Sequence, residues 1–326
     1  PAFEPDAPKA RLQPLPPVKF RGKPFFPIGA YDTAKLGQAD NFASIDPEFI
    51  AAGGNFADLG LLNMPDSPIY ANHGQPAIFA ALDRMQSNPD YEKIAFLVGL
   101  GGALLMEKSP EDNNAGHGGM FLPLNAEQRK AHAAVLTEAL RKLRQYPNII
   151  GYTMDEPENL IWTYYKANYS DDWKKSGDAS IAGKMVEWLN WVKPIIRAEH
   201  PEAQLMPIIA WWSTYMDVSD MYDVLVVNQY PAGEKGAPEF SAPWYEVSYD
   251  AAMAVAAARA HDKTVIYMPP MFNLMDADWP YGFCTLREQR YVNFAPVTRG
   301  AMGIHGWRLN RCSAEYRRDV IYPAMK

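Results

Sequence analysis

Eight short, almost wholly apolar runs recur along this chain, and they constrain its fold more than any other feature. They are PFFPIGAY (24–31), GGNFADLG (53–60), KIAFLVGLG (93–101), NIIGYTMDE (148–156), QLMPIIAWW (204–212), DVLVVNQYP (223–231), KTVIYMPPMF (263–272) and AMGIHGWRLN (301–310). Side chains along a strand point to opposite faces in turn, so a strand with one wet face alternates apolar and polar residues. Runs with little alternation are strands covered on both faces, as in a parallel sheet wrapped by helices. Between the runs lie helical candidates with a 3.6-residue period. AEQRKAHAAVLTEALRKLRQY (126–146) is the clearest, joined by 182–200, 251–261 and 285–298. Only STYMDVSDMY separates the fifth run from the sixth, room for about a single helical turn. Strand then helix, eight times, predicts an α/β fold of the (β/α)8 TIM-barrel type. It is read as a single domain over 20–326 with long βα loops, after a Pro-rich lead-in over 1–19. A doubly wound sheet prefers a glycine-rich phosphate loop after its first strand, and PIGAYDTAK has none.

Composition removes several function classes. The net charge is −7 and no stretch concentrates Lys and Arg, which argues against a nucleic-acid partner. No run of 18 apolar residues exists, so no membrane insertion by a helix is expected. His-x-x-x-His, Cys-x-x-Cys and Asp-x-Asp-x-Asp patterns are missing, so no metal and no cofactor are expected. A Gly-x-Ser-x-Gly elbow is missing too. Aromatic residues reach 13%, with nine Trp and eighteen Tyr, an excess that suits stacking on flat apolar faces such as sugar rings. The lead-in PAFEPDAPKARLQPLPPVKF lacks Met and reads as a mature or a trimmed N-terminus, so a secreted or periplasmic location is expected, with the cytoplasm as the alternative. Oligomeric state is left open.

In a barrel the residues at the C-terminal ends of strands point into the mouth, where active sites form. The fourth run ends in Asp155, Glu156 and Pro157, and the proline ends the strand. A Glu in an aromatic-lined cleft is held protonated near neutral pH by desolvation and can give that proton to a leaving oxygen. The competing reading is an acidic loop start that caps a helix. Asn228, Gln229 and Tyr230 end the sixth run and are suited to reading hydroxyls. Trp211 and Trp212 end the fifth, and Trp307 and Arg308 the eighth. Arg308 is a cation suited to a carboxylate or sulfate, or to positioning an acid. His305 lies inside the eighth run, as a hydrogen-bond partner or as neutral packing. His117, in a glycine-rich loop, is read as solvated.

The phrase IIGYTMDEPE resembles the strand-four signature of the large clan of retaining TIM-barrel glycoside hydrolases, Asn or Asp then Glu-Pro. FRGKPFFPIGAYD is similar to the clan's opening strand, AAGGNFADL to its second and GAMGIHGWRLN to its last. The resemblance covers about residues 20–311. It implies cleavage of a glycosidic bond in an oligo- or polysaccharide, with Glu156 as general acid and Asp155 beside it. It brings Asp32, Asn55 and Asp58 into the substrate-binding set and implies a carbohydrate as partner. One departure stands out. The clan carries a nucleophilic Glu at the tip of strand seven, and KTVIYMPPMFN has no acid there. Asp276 and Asp278 in the following loop, strand-end acids such as Asp32, Asp58 and Glu234, or Asp155 itself are the candidates for the second carboxylate. Carboxyls about 5–5.5 Å apart mean retention, and about 6.5–9.5 Å inversion. Two alternatives remain, a carbohydrate-binding barrel without catalysis and a sugar-acid lyase or isomerase. In a barrel Cys284 and Cys312 fall in adjacent loops on one face, and both a disulfide and two free thiols stay open.

Overall fold

All eight apolar runs contribute strands to one parallel sheet. The computed structural model describes residues 14–31, 45–61, 75–100, 126–154, 156–158, 173–210, 214–228, 244–273, 284–307, 309 and 312–326. An antiparallel hairpin comes first, β1 (Val18–Phe20) and β2 (Lys23–Phe25). The sheet strands follow: β3 (Ile28–Ala30), β4 (Phe56–Leu61), β5 (Ala95–Gly99), β6 (Ile149–Thr153), β7 (Gln204–Leu205), β8 (Ile208–Ile209), β9 (Val224–Asn228), β10 (Thr264–Met268) and β11 (Ile304–Gly306). Their order is β7-β6-β5-β4-β3-β11-β10-β9-β8.

That order makes the sheet curl. The first and last of these strands are neighbours, with Ile28 opposite Ile304. The two edges, β7 and β8, belong to one extended segment. Met206 N–H donates to Tyr152 O at 2.8 Å and Ile208 N–H to Met154 O at 2.9 Å on one side. On the other side Val226 N–H donates to Pro207 O at 3.0 Å. The fifth run is divided because Pro207 has no N–H to give. The result is TIM-barrel-like, without the reversal of strand order that marks a doubly wound sheet.

Two apolar clusters alternate along the strands. Phe56, Leu97, Ile150, Met206, Val226 and Ile266 belong to the inner one. Ala57, Phe96, Tyr152, Leu205, Val227 and Tyr267 belong to the outer one, which they share with helical residues such as Leu140, Val192 and Val255. Burial on both faces accounts for the nearly unbroken hydrophobicity of the runs. Among the described residues, the α-helices between successive sheet strands are α1 (Pro47–Ala51), α2 (Gln75–Gln86), α3 (Ala126–Leu143), α4 (Trp173–Glu199), α5 (Tyr215–Val218), α6 (Trp244–Ala260) and α7 (Leu286–Arg299). α5 is the single turn expected between the fifth and sixth runs. α7 opens on a capping box between Thr285 and Glu288 and closes on Gly300, whose φ of 110° few other residues adopt. The C-terminal end of α4 is pinned by Arg197, whose Nη2 lies 2.6 and 2.5 Å from the Asp223 oxygens. Asp223 also accepts Leu205 N–H at 2.7 Å, which ties α4 to the starts of β7 and β9.

The first run departs from expectation. Only Ile28–Ala30 enters the sheet. Lys23–Phe25 folds back on Val18–Phe20 through Arg21 and Gly22, both at positive φ (51° and 74°), the geometry of a two-residue hairpin turn. Val18 of this hairpin is fully buried with the inner cluster. Gln204 Nε2 donates to Lys19 O at 3.1 Å and Thr264 Oγ1 to Pro16 O at 2.5 Å. These contacts place the hairpin at the end where the strands begin. Among the described residues, no helix is long and apolar enough to cross a membrane.

Candidate active site

Strand alternation decides which side chains meet inside the sheet. Following the inner cluster upward, Asp58 comes after Phe56 on β4 and Asn228 after Val226 on β9. On β6, Thr153 lies between Tyr152 and Met154, both of the outer cluster, so it too points inward. His305 of β11 packs against Phe56, with ring centroids 4.8 Å apart. The interior therefore turns polar toward the C-terminal ends of the strands. All four residues are nearly inaccessible, at 2% exposure or less. A buried polar group is costly unless it is bonded, and such a cluster makes this end of the strands the candidate site.

Glu156 stands at this end, just past β6. Its N–H donates to Ile208 O at 3.0 Å. The side-chain amide of Asn228 donates to its Oε1. The backbone of Glu156 sits at φ 40°, in the left-handed region that a non-glycine residue occupies at a cost of roughly 1–2 kcal/mol. Two strands thus hold the residue in a conformation it would not choose alone. The outcome is a half-buried carboxyl held at the strand ends.

An aromatic wall stands beside the polar cluster. Trp307 follows β11 and packs on Tyr31, with centroids 4.7 Å apart and planes tilted by 34°. Trp307 is anchored on the end of β10: its N–H donates to Pro269 O at 2.8 Å, and Met271 N–H donates to Trp307 O at 3.0 Å. The β10 tip itself reads Pro269-Pro270-Met271-Phe272-Asn273 and carries no acid. Asn273 is occupied with Ser313, donating to its Oγ at 3.2 Å and accepting its N–H at 2.7 Å. His305 is inaccessible, and among the described residues neither ring nitrogen has a hydrogen-bond partner. Burial pushes its pKa down to about 3, so the ring is neutral.

Asn55, expected among the substrate-binding residues, lies elsewhere. It precedes β4 and so sits at the opposite end of the strands. Its Oδ1 accepts Ile28 N–H at 2.7 Å and its Nδ2 donates to Phe26 O at 3.1 Å. Both ends of the amide staple the start of β3 to β4. Cys284 and Cys312 are buried free thiols, and burial pushes both up to about 12. Cys312 Sγ donates to Met271 O at 2.8 Å. Asp155, Asp276, Asp278, Asp32, Trp211, Trp212, Gln229, Tyr230, Arg308 and Glu234 lie outside the described residues. Among the described residues no cluster of His, Cys, Asp and Glu could hold a metal ion. A cavity of about 490 Å³ lies at the far end, lined by Arg21, Tyr91, Tyr146 and Asn148. Asn148 immediately precedes β6, so this hollow is remote from Glu156.

One residue of the site was not anticipated. Glu158 has no accessible surface, and its Oε1 accepts the N–H of Ala210 beyond β8. The signal was present as the third acid of DEPE, but acidic residues so near a strand end usually face water.

No family model matches the sequence, and no curated protein is detectably similar to it. Solved structures of similar fold include glycoside hydrolases. A β-galactosidase from the psychrophilic Marinomonas ef1 matches with a TM-score of 0.63 at 11% identity, over 92% of this chain and 58% of that one. Fungal β-1,4-galactanase matches at 0.56 and 13% identity, over 92% and 98%. A GH5_18 from Bifidobacterium longum subsp. infantis matches at 0.54 and 15% identity, over 88% and 69%. The chain spans less than two thirds of the length of several such structures, 44% in the case of a β-glucuronidase from an uncultured Clostridium. At these identities the likeness establishes a TIM-barrel-like fold.

Proposed function

We propose that this chain is a glycoside hydrolase acting on an oligo- or polysaccharide, with Glu156 as the general acid. The observation that carries the reading is the placement of Glu156: it ends the fourth of eight parallel runs, held by Ile208 O and the Asn228 amide, at the end where the interior turns polar. The fold likeness to glycoside hydrolases supports it. We take the segment 204–209 as one strand that closes an eight-stranded barrel, and 20–326 as one domain. Glu156 gives its proton to the glycosidic oxygen as the bond to the anomeric carbon breaks. A second carboxylate either attacks that carbon or activates a water. Asp58 points into the barrel, and Asp155, Asp276 and Asp278 are the further candidates. The acid-free β10 tip separates this chain from the retaining clan it resembles and favours a second reading, a barrel that binds carbohydrate without cleaving it.

A panel of plant and algal polysaccharides and aryl glycosides, offered to wild type and Glu156→Gln, separates the two. Cleavage by wild type with its loss in the variant is expected. Retarded migration on polysaccharide gels with no cleavage by either protein would select the binding reading. Proton NMR of the first-formed anomer then assigns retention or inversion, and a product with a 4,5-double bond would indicate a lyase.

A further inference from the structure

The edge between β6 and β8 is a regular parallel ladder up to Glu156. Ile208 N–H donates to Met154 O at 2.9 Å, and Glu156 N–H donates to Ile208 O at 3.0 Å. Beyond this point the chain of β6 turns. Glu156 takes a φ of 40°, and the next residue is Pro157, which has no N–H for a ladder. The next N–H along that edge of the β8 segment belongs to Ala210. It donates to a side chain, Oε1 of Glu158. A carboxylate therefore occupies a rung of the ladder just where the main chain has turned. Glu158 has no accessible surface, so its carboxyl is committed to the protein interior, and a buried acid is retained at a cost unless its hydrogen bonds matter.

We propose that Glu158 is a positioning residue for Glu156. Its carboxylate completes the β8 edge and so holds the left-handed turn that presents Glu156. By the same bond it fixes the spacing between that turn and the segment beginning at Ala210, which leads to Trp211 and Trp212. The Asn228 amide spans from β9 to Glu156 Oε1 and reports whether the turn is in place. The proposal rests on Glu156 being the proton donor.

The test compares wild type with Glu158→Gln, Glu158→Leu and Ala210→Pro. Glutamine keeps an oxygen that accepts the Ala210 N–H. Leucine removes the acceptor. Proline removes the donor without touching residue 158, which keeps the test alive should the leucine variant fail to fold. The first readout is the side-chain amide of Asn228 in ¹⁵N-resolved NMR, and it needs no substrate. The expected result is an Asn228 signal at its wild-type position in the glutamine variant and displaced in the other two. The second readout is steady-state cleavage of whichever panel glycoside wild type hydrolyses. There kcat is expected to fall about 10- to 100-fold in the leucine and proline variants, the scale of an ångström of misplacement, with KM nearly unchanged and the glutamine variant close to wild type. An unmoved Asn228 signal in a folded leucine or proline variant overturns the proposal. So does a glutamine variant as damaged as leucine. If wild type cleaves no glycoside, the hydrolase reading fails while the amide signal still decides the role of Glu158.

Discussion

Acidifying the protein from pH 7 to pH 5 is expected to cost about 2 kcal/mol of stability through one residue, His305. Its ring is inaccessible, lies 4.8 Å from the Phe56 ring and 6.2 Å from the Tyr31 ring, and has no partner at either nitrogen among the described residues. Burial lowers its pKa to about 3. In the unfolded chain the ring titrates near 6.5. Below that value the unfolded state binds a proton that the folded state refuses. The stability tied to the neutral ring is thus fully present above about pH 6.5 and is lost as the pH falls toward 3. The loss is about 1.36 kcal/mol per pH unit, so the unit and a half down to pH 5 gives about 2 kcal/mol. Urea unfolding at both pH values, in wild type and His305→Phe, isolates this residue. His200, which burial also lowers, and the carboxylates titrate alike in both proteins and cancel. The variant should lose about 2 kcal/mol less than wild type. Equal losses would refute the reasoning, because they would mean that the folded interior accepts the proton.

Two further perturbations probe the same interior. A Cβ at Gly29 would lie 2.7 Å from His305 Nδ1, 2.7 Å from Phe56 Cδ1 and 2.8 Å from the Phe56 carbonyl, and the last of these is a sheet backbone that has little room to move. Gly29→Ala is expected to destabilise by about 1–3 kcal/mol in urea, and a neutral result would mean that the interior of the curled sheet is loosely packed. Asn55→Ala orphans the Ile28 N–H and the Phe26 carbonyl, and is expected to cost about 1–3 kcal/mol while leaving kcat and KM on any cleaved glycoside unchanged. A raised KM would return Asn55 to the substrate site.

The strands were legible because each is covered on both faces, which leaves near-continuous apolar runs and needs no knowledge of pairing partners. α5 was legible from the shortness of its segment alone. The hairpin at 18–25 was not, since Pro24 to Phe26 reads as the start of the first barrel strand until the Arg21–Gly22 turn is seen to fold it back. The division of the fifth run at Pro207 is visible in sequence as a missing donor, although its consequence depends on which strands lie alongside. At the site, Glu156 was legible as an acid at the end of an apolar run. Its partnership with Asn228 crosses 72 residues and follows only from the curl of the sheet. Asn55 lies ahead of β4 rather than after it, a placement that the resemblance of its Gly-Asn pair does not reveal. Glu158 was passed over because nothing local distinguishes a buried acid from a solvated one.

Under the proposed function, Glu156 delivers a proton to the leaving oxygen. The most direct test compares two substrates of one sugar, an alkyl glycoside whose leaving group needs that proton and a 2,4-dinitrophenyl glycoside whose leaving group does not. Replacing Glu156 with Gln should lower kcat/KM for the alkyl glycoside by about 10²–10⁴, the usual worth of general acid catalysis, and leave the dinitrophenyl glycoside far less affected. An equal loss on both substrates, or none on either, would contradict the account.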